Sequence, residues 1–272
     1  MNSLKLPRFL RAFFLLIMLT LPFSMFAQTK VQLQLKKAFI ADDIRCDKFG
    51  MLYAIKGYTI LQYDTSFRQL KSFSSKSFSL ISSIDVSDPF KILVFVRDFS
   101  NLQMLDNTLS PTTSEINMTS LGLLQVELLC TASENSFWVF DAASFQLYRY
   151  NFHLKKLNSS GDLRLFISSN SLPLKMMEFD NKLYVLFPEE GIAVFDVFGT
   201  YIKTLPFLNV TDFQFFAGSL FMLIKNKLLS YHLFTLEQGE FSLQESIAKK
   251  FCIHKQSIYV LSSDSLSTYS IK

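Results

Sequence analysis

Glycine and proline are scarce in this chain, at 8 and 7 of 272 residues, and tryptophan occurs once. So little glycine leaves no Gly-rich loop to cradle a phosphate, and no GxSxG elbow or HExxH pair is present. Cysteine and histidine number three each. Neither forms a CxxC or HxxxH pair, so zinc-ligand spacing is missing from the sequence. Charged residues make up 18% against 49% hydrophobic residues, which excludes intrinsic disorder for the bulk of the chain. Past the N-terminus, no apolar stripe of period 3.6 runs long enough for a helix pair, which excludes helical repeats.

Phenylalanine is what the chain has in excess, 30 residues beside 10 tyrosines. Aromatic and β-branched abundance favours strands, and a chain of this length buries a large core without staples. The first 27 residues read as a signal peptide. Lys5, Arg8 and Arg11 precede the apolar run Phe13–Leu21, Pro22 breaks it, and Ala27 offers a small residue for cleavage. The alternative is an uncleaved anchor, for which the run is short. No cysteine follows the run, so a lipoprotein is not supported. Residues 28–272 are expected to form one domain. With the acid-free leader gone, the formal charge of +4 loses three cations and becomes +1. That leaves no electrostatic case for a nucleic-acid partner, and no membrane span is expected after leader cleavage.

An apolar core strand recurs six times, at Leu52–Ile55, Ile92–Val96, Phe137–Phe140, Leu183–Phe187, Leu220–Ile224 and Ile258–Leu261, with starts 37 to 46 residues apart. A short polar turn precedes each copy, such as Asp47–Gly50 or Asp88-Pro89. Another turn follows, then a strand ending in the manner of Ile60–Asp64, Leu102–Asp106 or Ile192–Asp196. Runs of four to six apolar residues bounded by turns read as strands buried on both faces. Repeats near forty residues with about four strands indicate propeller blades. The expected fold is all-β, a six-bladed β-propeller of about 41 residues per blade. The sixth copy stops at Lys272 after its third strand, and the alternating Val31–Lys36 stretch is the natural donor of the missing outer strand, over about residues 31–37. Cys46, Cys130 and Cys252 fall at one depth of the innermost strand, in the first, third and sixth units. Sheets pack about 10 Å apart and a disulfide needs Cα atoms within about 7 Å. The three are therefore expected to be small buried hydrophobes, with no disulfide.

The unit Asp47-Lys-Phe-Gly-Met-Leu-Tyr-Ala-Ile55 with Ile60-Leu-Gln-Tyr-Asp64 resembles the six-bladed propellers of the NHL and TolB-like kind over residues 30–272. It departs from NHL repeats in lacking their basic Arg-Ile or Arg-Val step in the third strand. Asp85–Leu93 with Leu105-Asp106, and a leader ending Phe26-Ala27-Gln28, resemble exported propellers of the Bacteroidota. That resemblance implies a place in the periplasm or envelope of a Gram-negative bacterium. It also implies a link to outer-membrane machines such as the type IX secretion channel.

No convergent catalytic, cofactor or metal set emerges from the residues. The three histidines, His153, His232 and His254, sit at three different strand positions, and only His254 is placed to face a channel. Glu189-Glu190 is the lone acidic pair among the core-strand loops and reads as a solvated turn. Several aromatics fall in turns or links: Phe78, Phe90, Phe99, Phe207 and Phe216. The candidate interaction surface is the end carrying the core-strand loops and the links, with Phe78, Phe99, Phe207, Arg97, Asp98, Glu189 and Glu190. The long link Ser110–Gly122 is a second candidate contact. The leading expectation is a non-catalytic, cofactor-free subunit that docks on another envelope protein. The rival is a propeller that binds a small ligand or carbohydrate, or hydrolyses one, at the channel mouth.

Overall fold

The computed structural model describes residues 31–74, 79–168, 171–244 and 247–271. The chain opens with β1 (Val31–Ala38), and six repeats follow. The first is β2 (Asp43–Cys46), β3 (Leu52–Lys56), β4 (Thr59–Tyr63) and β5 (Gln69–Ser74). The second is β6 (Ser83–Asp85), β7 (Ile92–Val96), β8 (Asn101–Leu105) and β9 (Ile116–Asn117). The third is β10 (Val126–Ala132), β11 (Ser136–Asp141), β12 (Gln146–Asn151) and β13 (Lys156–Ser159). The fourth is β14 (Lys175–Phe179), β15 (Lys182–Phe187), β16 (Gly191–Asp196) and β17 (Tyr201–Leu205). The fifth is β18 (Asp212–Phe216), β19 (Ser219–Ile224), β20 (Lys227–His232) and β21 (Gln238–Ser242). The sixth is β22 (Lys250–His254), β23 (Ser257–Leu261) and β24 (Ser265–Ile271). Each repeat is one antiparallel sheet in sequence order, and β1 completes the sixth in the order β1-β24-β23-β22. This is the expected six-bladed ring with its expected closure.

Burial explains why the second strand of each repeat is the legible one. Every residue of β7 and β11 is buried, because these strands have a sheet above and below. Such positions select continuous Ile, Val, Leu and Phe, each worth about 1.5–3 kcal/mol when fully buried. The outer strand β5 is mostly exposed and its sequence, QLKSFS, carries no such signal.

The third-to-fourth-strand turns repeat one device. Asp64 Oδ1 accepts from the N–H of Ser66 and Arg68, and Asp106 Oδ1 from Thr108 and Ser110. Asn151 and Asp196 do the same for His153 and Lys155, and for Phe198 and Thr200. A short acceptor at the strand end caps the turn's free amides, which accounts for the aspartate that closes the repeated motif.

Two expectations need correction. Cys46 and Cys252 form a disulfide, with Cα atoms 5.7 Å apart. The 10 Å spacing applies to parallel sheets in mid-strand, whereas propeller blades are wedges whose innermost strands converge on the axis. β2 and β22 meet there. Cys130 stays free and buried; burial first, then Asp85 and Glu178, push its thiol up. The Ser110–Gly122 stretch is also more than a link. It supplies β9 and a 3-10 turn over Met118–Leu121 whose Met118 is fully buried.

Candidate functional site

Alternating strand directions sort the connections onto two ends of the ring. Turns from second to third strands and the links between blades share one end. Backbone bonds tie the two sets together: Phe39 N–H to Asp264 O, Ile81 to Gly57, Ala142 to Gln125, Asn209 to Pro188 and Leu243 to Asn226. Every link puts a branched aliphatic side chain into solvent at this end. Ile40, Leu80, Leu124, Leu165, Leu208 and Ile247 are between 49% and 79% exposed. Tyr58 and Phe99, from second-to-third-strand turns, are exposed beside them. Single exposed leucines are ordinary on protein surfaces, but here each of the six links carries an exposed aliphatic, Leu165 ten residues ahead of its blade and the others two to four.

The residues singled out from the sequence at this end fare unequally. Phe99 is 51% exposed. Arg97 reaches Glu127 at 3.2 Å, and Asp98 accepts from the Ser79 hydroxyl. Glu189 is exposed in a turn, with Glu190 beside it half-buried. Phe207 instead folds back on the blade, its ring 5.2 Å from that of Tyr231. At the other end of the ring, Phe216 packs against the core between blades five and six. Phe78 and the leader lie outside the described residues. The aliphatic circle was missed because an isolated Leu or Ile in a polar link carries no signal, and the six links differ in length and composition.

The axis of the ring holds the second candidate site. At the link end, Asp212 is fully buried, with Lys175 Nζ at 2.6 Å and Arg45 Nη1 at 3.2 Å, and Arg45 also meets Asp43 at 2.8 Å. Burial opposes the charge of Asp212, but Lys175, Arg45 and Lys250 outweigh it and hold the carboxyl well below the usual range. Burial, with the like charge of Arg45, lowers Lys175 to about 8. Above this ion cluster a cavity of about 580 Å³ opens toward the first-to-second-strand turns. Its walls include Met176, Phe179, Phe215 and Ile253, and its charged lining includes Asp47, Asp85, Glu178, Lys48 and Lys255.

Three carboxylates at one mouth would suggest acid–base chemistry if their oxygens were free of protein donors, but each oxygen already accepts from one. Asp47 accepts from Phe49 N, Met51 N and the Tyr53 hydroxyl. Asp85 takes Ser87 N and Thr131 N on its two oxygens, and Glu178 takes Ser133 N and the Trp138 indole N–H. The last two reach across to the neighbouring blade, as Gln214 does by pairing with both backbone groups of Ile253. These side chains stitch blade to blade around the axis. Among the described residues no three His, Cys, Asp or Glu side chains converge as metal ligands. His254 lines the cavity, while His153 and His232 sit in or beside third-to-fourth-strand turns.

No protein-family model and no curated protein matches the chain. Solved structures do. A streptogramin B lyase aligns with a TM-score of 0.64 at 12% identity, covering 89% of this chain and 98% of that one. The WD40 domain of Pan2 from Neurospora crassa aligns at 0.62 and 8% identity, covering 90% and 96%. A catalytically inactive virginiamycin B lyase from Staphylococcus aureus, solved with quinupristin, aligns at 0.59 and 13% identity, covering 86% and 80%. Identities this low speak for the fold and not for an activity. With the sheet order, they make this chain a six-bladed β-propeller.

Proposed function

We propose that the protein is a non-catalytic, exported propeller that docks on another cell-envelope protein through the link end of the ring. The observation that carries this reading is the circle of exposed aliphatics, Ile40, Leu80, Leu124, Leu165, Leu208 and Ile247. Water-exposed apolar side chains repeated on one rigid face are the material of a protein contact. The leader supports export. The Cys46–Cys252 disulfide suits an oxidising compartment such as a bacterial periplasm. The full engagement of Asp47, Asp85 and Glu178 in structural bonds favours a scaffold over a hydrolase.

The test is co-purification from solubilised envelopes with Leu80, Leu124 and Leu165 changed together to Ser. All three are exposed, so the variant keeps its fold and melting temperature. A stoichiometric partner held by the wild type and lost by the variant is the expected result. Equal retention by both, or a wild type that emerges alone, contradicts it.

A further inference from the structure

The cavity at the far end of the axis has properties that the docking face does not explain. Its volume of about 580 Å³ falls within the range of small-molecule sites, roughly 300–1,000 Å³. One wall is aromatic: the rings of Phe179 and Phe215 stack at 4.4 Å and 5°, with Phe216 and Met176 beside them. The adjoining wall comes from blades six and one, which carry His254, Lys255 and Lys48. Gly50 holds His254 at the mouth: a Cβ there would sit 2.8 Å from the imidazole Nε2, and its φ of +89° favours glycine.

The hydrogen-bond ledger of the lining is one-sided. Asp47, Asp85 and Glu178 have every oxygen engaged by a protein donor. Arg45 and Lys175 are committed to Asp43 and Asp212. Among the described residues, Lys48, His254 and Lys255 meet no carboxylate and donate to no acceptor; Lys48 lies only against the rings of Phe49 and Phe90. The acids Asp88 and Asp180 line an adjoining depression on the side of blades two to four, which shares Ser87, Glu178 and Phe179 with the cavity. What the cavity offers a ligand is thus unmet donors on one wall and aromatic surface on the other.

We infer that this cavity binds a small amphipathic anion, an organic acid whose head meets Lys48, His254 and Lys255 and whose apolar body lies on Phe179 and Phe215. The site faces away from the link end, so both ends of the ring work at once. It stands whether or not the link face docks a partner.

The chain has a built-in reporter, because its single tryptophan, Trp138, bonds at 2.7 Å to Glu178 in the cavity lining. The experiment titrates the full mature protein with 4-phenylbutyrate and with 4-phenyl-1-butanol, read by Trp138 emission and by calorimetry. The acid is expected to bind one-to-one and about tenfold tighter than the alcohol, the scale of one charge-assisted bond. Lys48→Glu with Lys255→Glu, both exposed, should weaken the acid by about tenfold or more at an unchanged melting temperature. Lys56→Glu, at the link end, should change nothing. The inference is overturned if the acid shows no saturable binding, if the alcohol binds equally well, or if the double variant binds the acid as the wild type does.

Discussion

Asp212 is the residue on which the axis depends. It is fully buried and faces Lys175, Arg45 and Lys250. Removing its charge leaves buried cations without their counter-ion, which costs about 3–5 kcal/mol. Asp212→Asn should therefore lower the unfolding free energy by that amount, and Asp212→Asn with Lys175→Met by clearly less. Chemical denaturation of the three proteins checks both. The pH dependence follows from the same cluster. The folded carboxyl titrates below its ordinary value of 3.8, so its stabilisation is complete above about pH 4. It is lost as the pH falls toward the folded value. Wild-type stability should drop steeply in that acid window, and the drop should be shallower in Asp212→Asn. None of this was legible in the chain. Arg45 lies 167 residues from Asp212 and Lys175 lies 37 away, and single charges inside short inner strands look like strand ends. The turn aspartates were legible, because Asp64, Asp106 and Asp196 act on amides two to four residues downstream.

At the scale of elements, the ring is closed twice between blades one and six. β1 pairs with β24 from Val31–Ile271 to Ala38–Ser265, and Val31 and Leu33 pack on the core between blades five and six. Deleting Val31–Lys37 strips β24 of its partner and opens a long unpaired edge. The truncated protein should lose cooperative unfolding altogether, and an unchanged melting temperature would refute the closure. On the inner rim, the Cys46–Cys252 disulfide spans 206 residues. Its loss, by reductant or by Cys46→Ser with Cys252→Ser, should cost about 2–4 kcal/mol while leaving the far-ultraviolet spectrum of the folded protein intact. Both closures join the same blades, yet only one could be read in advance. The outer strand announces itself by alternation, VQLQLK, against a unit one strand short. The disulfide depends on how tightly wedges converge, which residue spacing does not encode.

For the whole molecule, repeat length and buried second strands determine the architecture. The surface follows different rules. Core strands such as Ile92–Val96 must be apolar in every blade, so they recur visibly. The six link aliphatics recur only in three dimensions, set in links of different length and composition. Of the residues picked from sequence at this end, Phe99 stands exposed. Phe207 turns inward onto Tyr231, because a turn aromatic beside a blade edge gains more from packing than from solvent. The opposite end has exposed rings of its own, Phe49, Phe198 and Phe234, so the two faces can be set against each other in one experiment. A photo-crosslinking amino acid placed singly at Leu124, Leu165 and Ile247, and in parallel at Phe49, Phe198 and Phe234, would be irradiated in intact cells. A partner bound at the link end predicts one discrete adduct shared by the first three positions and absent from the second three. No adduct at the link positions, or the same adduct from both ends, would contradict the docking face.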